Sequence, residues 1–144
     1  MNGASVTIEG IHYGPQAVED MLIAMQKACS NTANRVRDTA KGLVRVGPGN
    51  PMHVRDTIIA RNVLKEAYRP MSLVTAGNRD KGVYWHYMLE FGTYFSDAHP
   101  FMRPAYQRNF SAFKAEALRG GKRAINARRR ATDKARRIRA GGKR

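Results

Sequence analysis

From Val18 onward the apolar or small residues fall at Val18, Leu22, Met25, Cys29, Thr32, Val36, Thr39 and Leu43, with spacings that alternate four and three without a break. That rhythm is the repeat of one face of an α-helix, where residues three and four apart stack above one another. It predicts a long amphipathic helix running to about Val44. Gly14-Pro15 supplies its start, because proline is tolerated in a first turn whose N–H groups have no partner. So long a stripe in a chain of 144 residues has to be covered, either by the protein's own sheet or by another subunit, and both remain open.

The remaining pattern is shorter-ranged. Ser5 to Ile11 sets Val6 and Ile8 against Ser5, Thr7 and Glu9, the alternation of a short strand. Gly47-Pro48-Gly49-Asn50-Pro51 reads as a loop, since neither a helix nor a central strand accepts that density of Gly and Pro. His53 to Tyr68 reads as a helix or as a helix followed by a strand, and Arg69-Pro70 interrupts it. Met71 to Ala76 reads as a strand, and the polar turn Gly77-Asn78-Arg79-Asp80-Lys81-Gly82 predicts a hairpin into Val83. Val83 to Phe91 is apolar on both faces at either period, so it is expected to be buried. Ala105 to Leu118 carries Phe110, Phe113, Ala117 and Leu118 at helical spacing and predicts a second helix. Gly120-Gly121 then reads as a hinge.

Hydrophobic residues make up 42% of the chain, enough for a core over part of the length. The net charge of +15 is concentrated at one end. Residues 119–144 hold twelve Lys/Arg and a single acid, Asp133, whereas residues 1–118 hold fourteen basic and ten acidic residues. We therefore divide the chain into a compact domain, 1–118, and a basic Arg-rich extension, 119–144. The extension should seek a polyanion or an acidic protein surface, because concentrated like charge repels itself until neutralised. Its candidate contacts with DNA or an acidic partner are Arg119, Lys122, Arg123, Arg128, Arg129, Arg130, Arg136, Arg137 and Arg139. No aromatics are interleaved for base stacking. Wound as a helix, these cations would surround the axis, which suits sequence-independent phosphate contact rather than base readout. The single cysteine, Cys29, excludes an internal disulfide and reads as a small buried hydrophobe. No run approaches transmembrane length and no signal peptide is visible, so a soluble intracellular product is expected, with no membrane contact.

Three segments carry a resemblance: Val54-Arg55-Asp56-Thr57-Ile58, Tyr87-Met88-Leu89-Glu90-Phe91-Gly92-Thr93 and Pro100-Phe101-Met102-Arg103-Pro104-Ala105. In that order, after a long helix and a Pro/Gly loop, they resemble the tail-completion or neck protein family of long-tailed bacteriophages over roughly residues 15 to 118. The match departs at Met52-His53, where the family often has a Thr-Gly step. The resemblance implies a small α+β protein: a long N-terminal amphipathic helix packed on a small antiparallel sheet, a second helix after the Pro-Phe-Met-Arg-Pro-Ala segment, and the basic extension. It also implies a non-catalytic virion protein at the head–tail junction, present in the host cytoplasm during assembly. It would form a homo-oligomeric ring, with six copies the expectation, and touch neighbouring neck, tail-terminator and connector proteins and genomic DNA in the channel.

The motif residues Glu90, Phe91, Gly92, Thr93, Pro100, Phe101, Arg103 and Pro104 also make physical sense alone. Phe91 reads as a core anchor, and Gly92 as a site of positive φ or close backbone approach. Glu90, set among aromatics, should be satisfied by backbone N–H groups, by Thr93 or by Arg103. Pro100 and Pro104 stiffen the entry to the next helix. The block thus reads chiefly as scaffold, leaving the long helix and the arginine tail as contact surfaces. The histidines His12, His53, His86 and His99 show no metal-ligand spacing, and Gly47-Pro48-Gly49 lacks the Lys-Ser/Thr of a phosphate loop. We expect no catalytic, cofactor-binding or metal residues. Two rival readings remain: a sequence-independent nucleic-acid-binding protein acting through the arginines, and a small hydrolase or nuclease built on His86 and Glu90.

Overall fold

The computed structural model describes residues 6–8, 11–46, 53–63, 69–78 and 80–141. The expected Gly47–Pro51 loop lies outside them. So do Ser5, Glu9, residues 64–68 of the His53–Tyr68 segment, Arg79 of the polar turn, and residues 142–144 of the extension. The fold is α+β: two long helices pack side by side, and a two-stranded antiparallel ribbon leans on the first of them.

The N-terminal segment is two short strands rather than one. β1 (Val6–Ile8) and β2 (Ile11–Tyr13) pair antiparallel, Val6 opposite Tyr13. Helix α1 spans Pro15–Leu43, with Pro15 in the first turn as expected. A single 3₁₀ turn, Val54–Thr57, leads into β3 (Ile59–Val63), which pairs with β4 (Met71–Thr75) from Ile59–Thr75 to Val63–Met71. The helix-then-strand alternative for the segment after His53 is therefore the one observed. The buried Thr57 hydroxyl fastens this turn twice, donating to the Val54 carbonyl at 2.7 Å and accepting the Gly77 N–H at 2.9 Å.

The expected hairpin into Val83 is present only as a bridge. Asn78 and Val83 exchange both backbone hydrogen bonds at 2.8 Å. The chain then turns into the short helix α2 (His86–Phe91) instead of extending as a strand. The alternating period required of a half-buried strand is missing from Val83–Phe91, and three-dimensional packing decides in favour of helix.

Helix α3 spans Met102–Gly141. It is longer than the expected Ala105–Leu118 helix and runs straight through Gly120-Gly121, where a hinge was expected. Gly120 is held there because it packs against α1: a Cβ at this position would lie 3.3 Å from the Ala24 Cβ. Close helix approach replaces the usual cost of glycine in a helix interior.

The two helices run antiparallel, as side-chain contacts along their length show. Asn109 meets Thr39, Glu116 meets Asn31 and Arg35, and Arg128 meets Asp20 and Gln16. The core gathers at one end of this pair, where Val36, Ala40 and Val44 meet Val54, Ile58, Val83, Phe101 and Ala105. The buried residues of α1 are Ala17, Ala28, Ala33, Val36 and Ala40. Most of the larger stripe residues flank this alanine face and are only half-buried, and Met25 is exposed. Small side chains let the helix axes approach, so burial is deepest where the residues are smallest.

Candidate functional site

The Glu-Phe-Gly-Thr and Pro-Phe-Met-Arg-Pro-Ala segments form one structural joint, and the joint divides into a scaffold and an exposed face. The scaffold centres on Glu90. Its carboxylate accepts the backbone N–H groups of Phe101 (2.8 Å), Met102 (2.9 Å) and Arg103 (3.0 Å). These are donors at the start of α3 that have no intrahelical partner. Partial burial works to raise the Glu90 pKa, but these three N–H groups and the nearby Arg103 outweigh it and hold the carboxyl below its ordinary range. Of the partners expected for Glu90, the backbone N–H groups supply the hydrogen bonds. Thr93 instead accepts the Phe95 N–H at 3.2 Å.

Phe101 fills the core beside this cap, 1% exposed. Pro104 lies in the first turn of α3, where no donor is missed. Gly92 has φ 77°, and a Cβ there would stand 2.9 Å from both the Ala98 N and the Ser96 O. The expected positive φ and close approach are both present. The segment is closed by His99, whose N–H donates to the Leu89 carbonyl at 2.7 Å.

The exposed face overturns two expectations. Phe91 is not a core anchor: it is 67% exposed, with the Arg103 guanidinium 5.8 Å from its ring centroid. Nor is Val83–Phe91 buried as a whole. Val83 is, and Trp85 and Leu89 pack against the core, but Tyr84, Tyr87 and Met88 are exposed. α2 is too short and too peripheral to bury more than one stripe. Tyr94 and Phe95 stand farther out still, at 96% and 93% exposure.

No protein-family model, curated protein or solved structure matches this chain.

The candidate basic residues are all on α3, and they do not act as one group. Arg128 is engaged with Asp20 in a two-pronged ion pair and contacts Gln16. The hydrogen bond to Arg128 lowers the Asp20 pKa, and Asp20 raises that of Arg128. Arg119 and Arg123 line a recess between α1 and α3 with Lys27, Arg35 and Glu116, and Lys122 is exposed nearby. Beyond Arg128, α3 outruns the start of α1 by about 20 Å at 1.5 Å per residue. Residues 129–141 are exposed throughout. Arg129, Arg130, Arg136, Arg137 and Arg139 make no ion pair among the described residues, and at 3.6 residues per turn they spread over about half of the helix circumference rather than all of it.

The histidines are scattered. His12 is on β2, His53 precedes the 3₁₀ turn, His86 opens α2, and His99 sits before α3 with its Nε2 3.3 Å from Arg45. Among the described residues no three His, Cys, Asp or Glu side chains gather where they could hold a metal. The His86 ring lies against the Gly77 backbone, and its buried Nδ1 has no hydrogen-bond partner. Glu90, on the same helix, is occupied as the α3 cap. Cys29 is half-buried, with its thiol 3.6 Å from the Pro70 carbonyl, so it is less enclosed than expected. No described helix is long and apolar enough to cross a membrane.

Proposed function

We propose that this chain is a structural virion protein that completes a phage tail and joins it to the head at the neck. It assembles as a ring with itself and performs no catalysis. The supporting observation is the exposed face of the joint. Between residues 84 and 95 the chain leaves Tyr84, Tyr87, Met88, Phe91, Tyr94 and Phe95 in water. Large apolar side chains gathered on one short stretch mark a surface meant for another protein. The same stretch contains the Glu-Phe-Gly-Thr motif on which the family resemblance rests, so the resemblance and the exposed surface fall on the same residues. Neighbouring neck, tail-terminator and connector proteins are the partners this reading assigns, at the head–tail junction.

A second reading has its own support. The projecting end of α3 offers exposed arginines to any polyanion, which favours sequence-independent contact with DNA. The two readings are compatible, since a ring at the neck encircles the genome.

The test is sedimentation velocity over a range of concentrations, paired with mass spectrometry of purified particles. A ring species and recovery of the protein from particles are expected. A protein that stays monomeric at every concentration and is missing from particles would overturn the reading.

A further inference from the structure

Between the middle of α1, the ribbon strand β4 and the first half of α3 lies an apolar groove of about 550 Å³, lined by Cys29, Val36, Met71, Val74, Tyr106 and Phe113 among others. That volume is within the ~300–1,000 Å³ of clefts that enclose ring-sized groups. The same chain carries a projection of matching character. Thr93 and Ser96 exchange backbone hydrogen bonds at 2.9 and 3.3 Å, closing a tight turn. The Thr93 hydroxyl accepts the Phe95 N–H within it. Tyr94 and Phe95 are thereby held at the tip, edge to face with centroids 5.0 Å apart. The turn fixes the backbone of the tip, which lowers the entropy cost of docking it.

We propose that the Tyr94-Phe95 tip of one copy seats in the α1–β4–α3 groove of a second copy of this chain. Charge supports the pairing: Asp97, exposed beside the tip, is acidic, and Arg103, on the rim of the groove, is basic. Area supports a repeated rather than an isolated contact. Two aromatic side chains bury about 300–500 Å², below the ~800 Å² per partner of a standard interface. One tip in one groove is a weak contact. It becomes a stable one where every subunit both gives and receives a tip, as in a closed assembly. The proposal rests on the self-assembly reading and names the contact that carries it.

Cys29 is the chain's single cysteine and lines the groove, so it reports occupancy. Burial pushes its thiol pKa up, and alkylation with a maleimide is best followed at mildly alkaline pH. In the wild-type protein the labelling rate should fall with concentration, about tenfold at about 90% occupancy, as mass action requires. The fall should parallel the appearance of the assembled species. The double variant Tyr94→Ala/Phe95→Ala alters only solvent-exposed rings, so it should fold, as circular dichroism would verify. It should label at the dilute wild-type rate at all concentrations and remain monomeric. An assembly that persists in the variant, or that leaves Cys29 as reactive as in dilute protein, would overturn the tip-in-groove contact and leave self-assembly standing. A wild-type protein that is monomeric throughout would overturn both. Protection of Cys29 that is already complete in dilute monomer would mean that the chain fills its own groove, and would also overturn the proposal.

Discussion

Replacing Glu90 by Ala should be strongly destabilising, because it strips three N–H groups of their shared acceptor. The Phe101 N–H belongs to a residue 1% exposed, so water cannot readily replace the carboxylate there. A hydrogen bond to a charged group contributes about 1.5–3 kcal/mol, and a negative charge at a helix N-terminus adds about 0.3–1 kcal/mol. Glu90 is only partly buried, and the Arg103 N–H can turn to water. We therefore expect a loss of about 2–3 kcal/mol, a large share of the ~5–15 kcal/mol typical of a domain. With a urea m-value of about 1–3 kcal/mol/M, the midpoint should fall by about 0.7–3 M. Glu90→Gln keeps an acceptor but loses the charge, and should lose about 1 kcal/mol.

The pH dependence follows from the depressed pKa of Glu90. The stability it contributes is fully present above its ordinary value of 4.5 and is lost as the pH falls through the lower folded value. The gap between wild type and Glu90→Ala should thus be constant near neutrality and narrow in acid. Urea denaturation curves at several pH values measure this directly. A midpoint shift under about 0.3 M for Glu90→Ala, or a gap that widens in acid, would refute the capping role.

Other changes test the remaining elements. Gly92→Ala combines a left-handed φ with two backbone clashes at 2.9 Å, and should lower stability by at least about 1–3 kcal/mol in thermal denaturation. Gly121→Ala, with nothing within 4 Å of the added Cβ, should raise stability by about 0.5–1 kcal/mol. Gly120→Ala, pressed on Ala24, should gain less or lose. Truncation after Arg128 should leave the melting temperature nearly unchanged and weaken DNA binding. The log–log salt dependence should flatten by up to about 0.9 for each phosphate contact removed. An unaltered slope in a filter-binding titration would rule out the projecting helix as the DNA contact. A cut after Leu118 would be a poorer test, since it also removes Gly120 and Arg128 from their places on α1.

Much of this architecture could be read in advance, and the exceptions share a physical cause. Helix α1 was legible because eight stripe positions repeat without interruption, and its predicted end at Val44 lies one residue past the observed Leu43. Its most buried face was less legible, because it is made of alanines whose apolar signal is weak. Gly120-Gly121 misled for the same reason: local propensity reads glycine as a break, whereas packing against Ala24 depends on its having no side chain. Glu90 and Gly92 were legible because an unpaired carboxylate and a strained turn each have few solutions. Phe91 was not. An exposed aromatic residue has the same sequence signature as one in a core, and only the short reach of α2 tells them apart. The arginines of residues 129–141 were legible as a group, but Arg128 was not, since its partner Asp20 lies more than a hundred residues away in sequence.

We propose this chain as a subunit of the ring that joins head to tail. The most direct measurement is an electron cryo-microscopy reconstruction of the neck of a tailed particle containing this protein. A closed ring of copies is expected at the junction, with Phe91, Tyr94 and Phe95 covered by neighbouring subunits. A neck in which the chain is absent, or is present as isolated copies with those aromatics facing solvent, would contradict it.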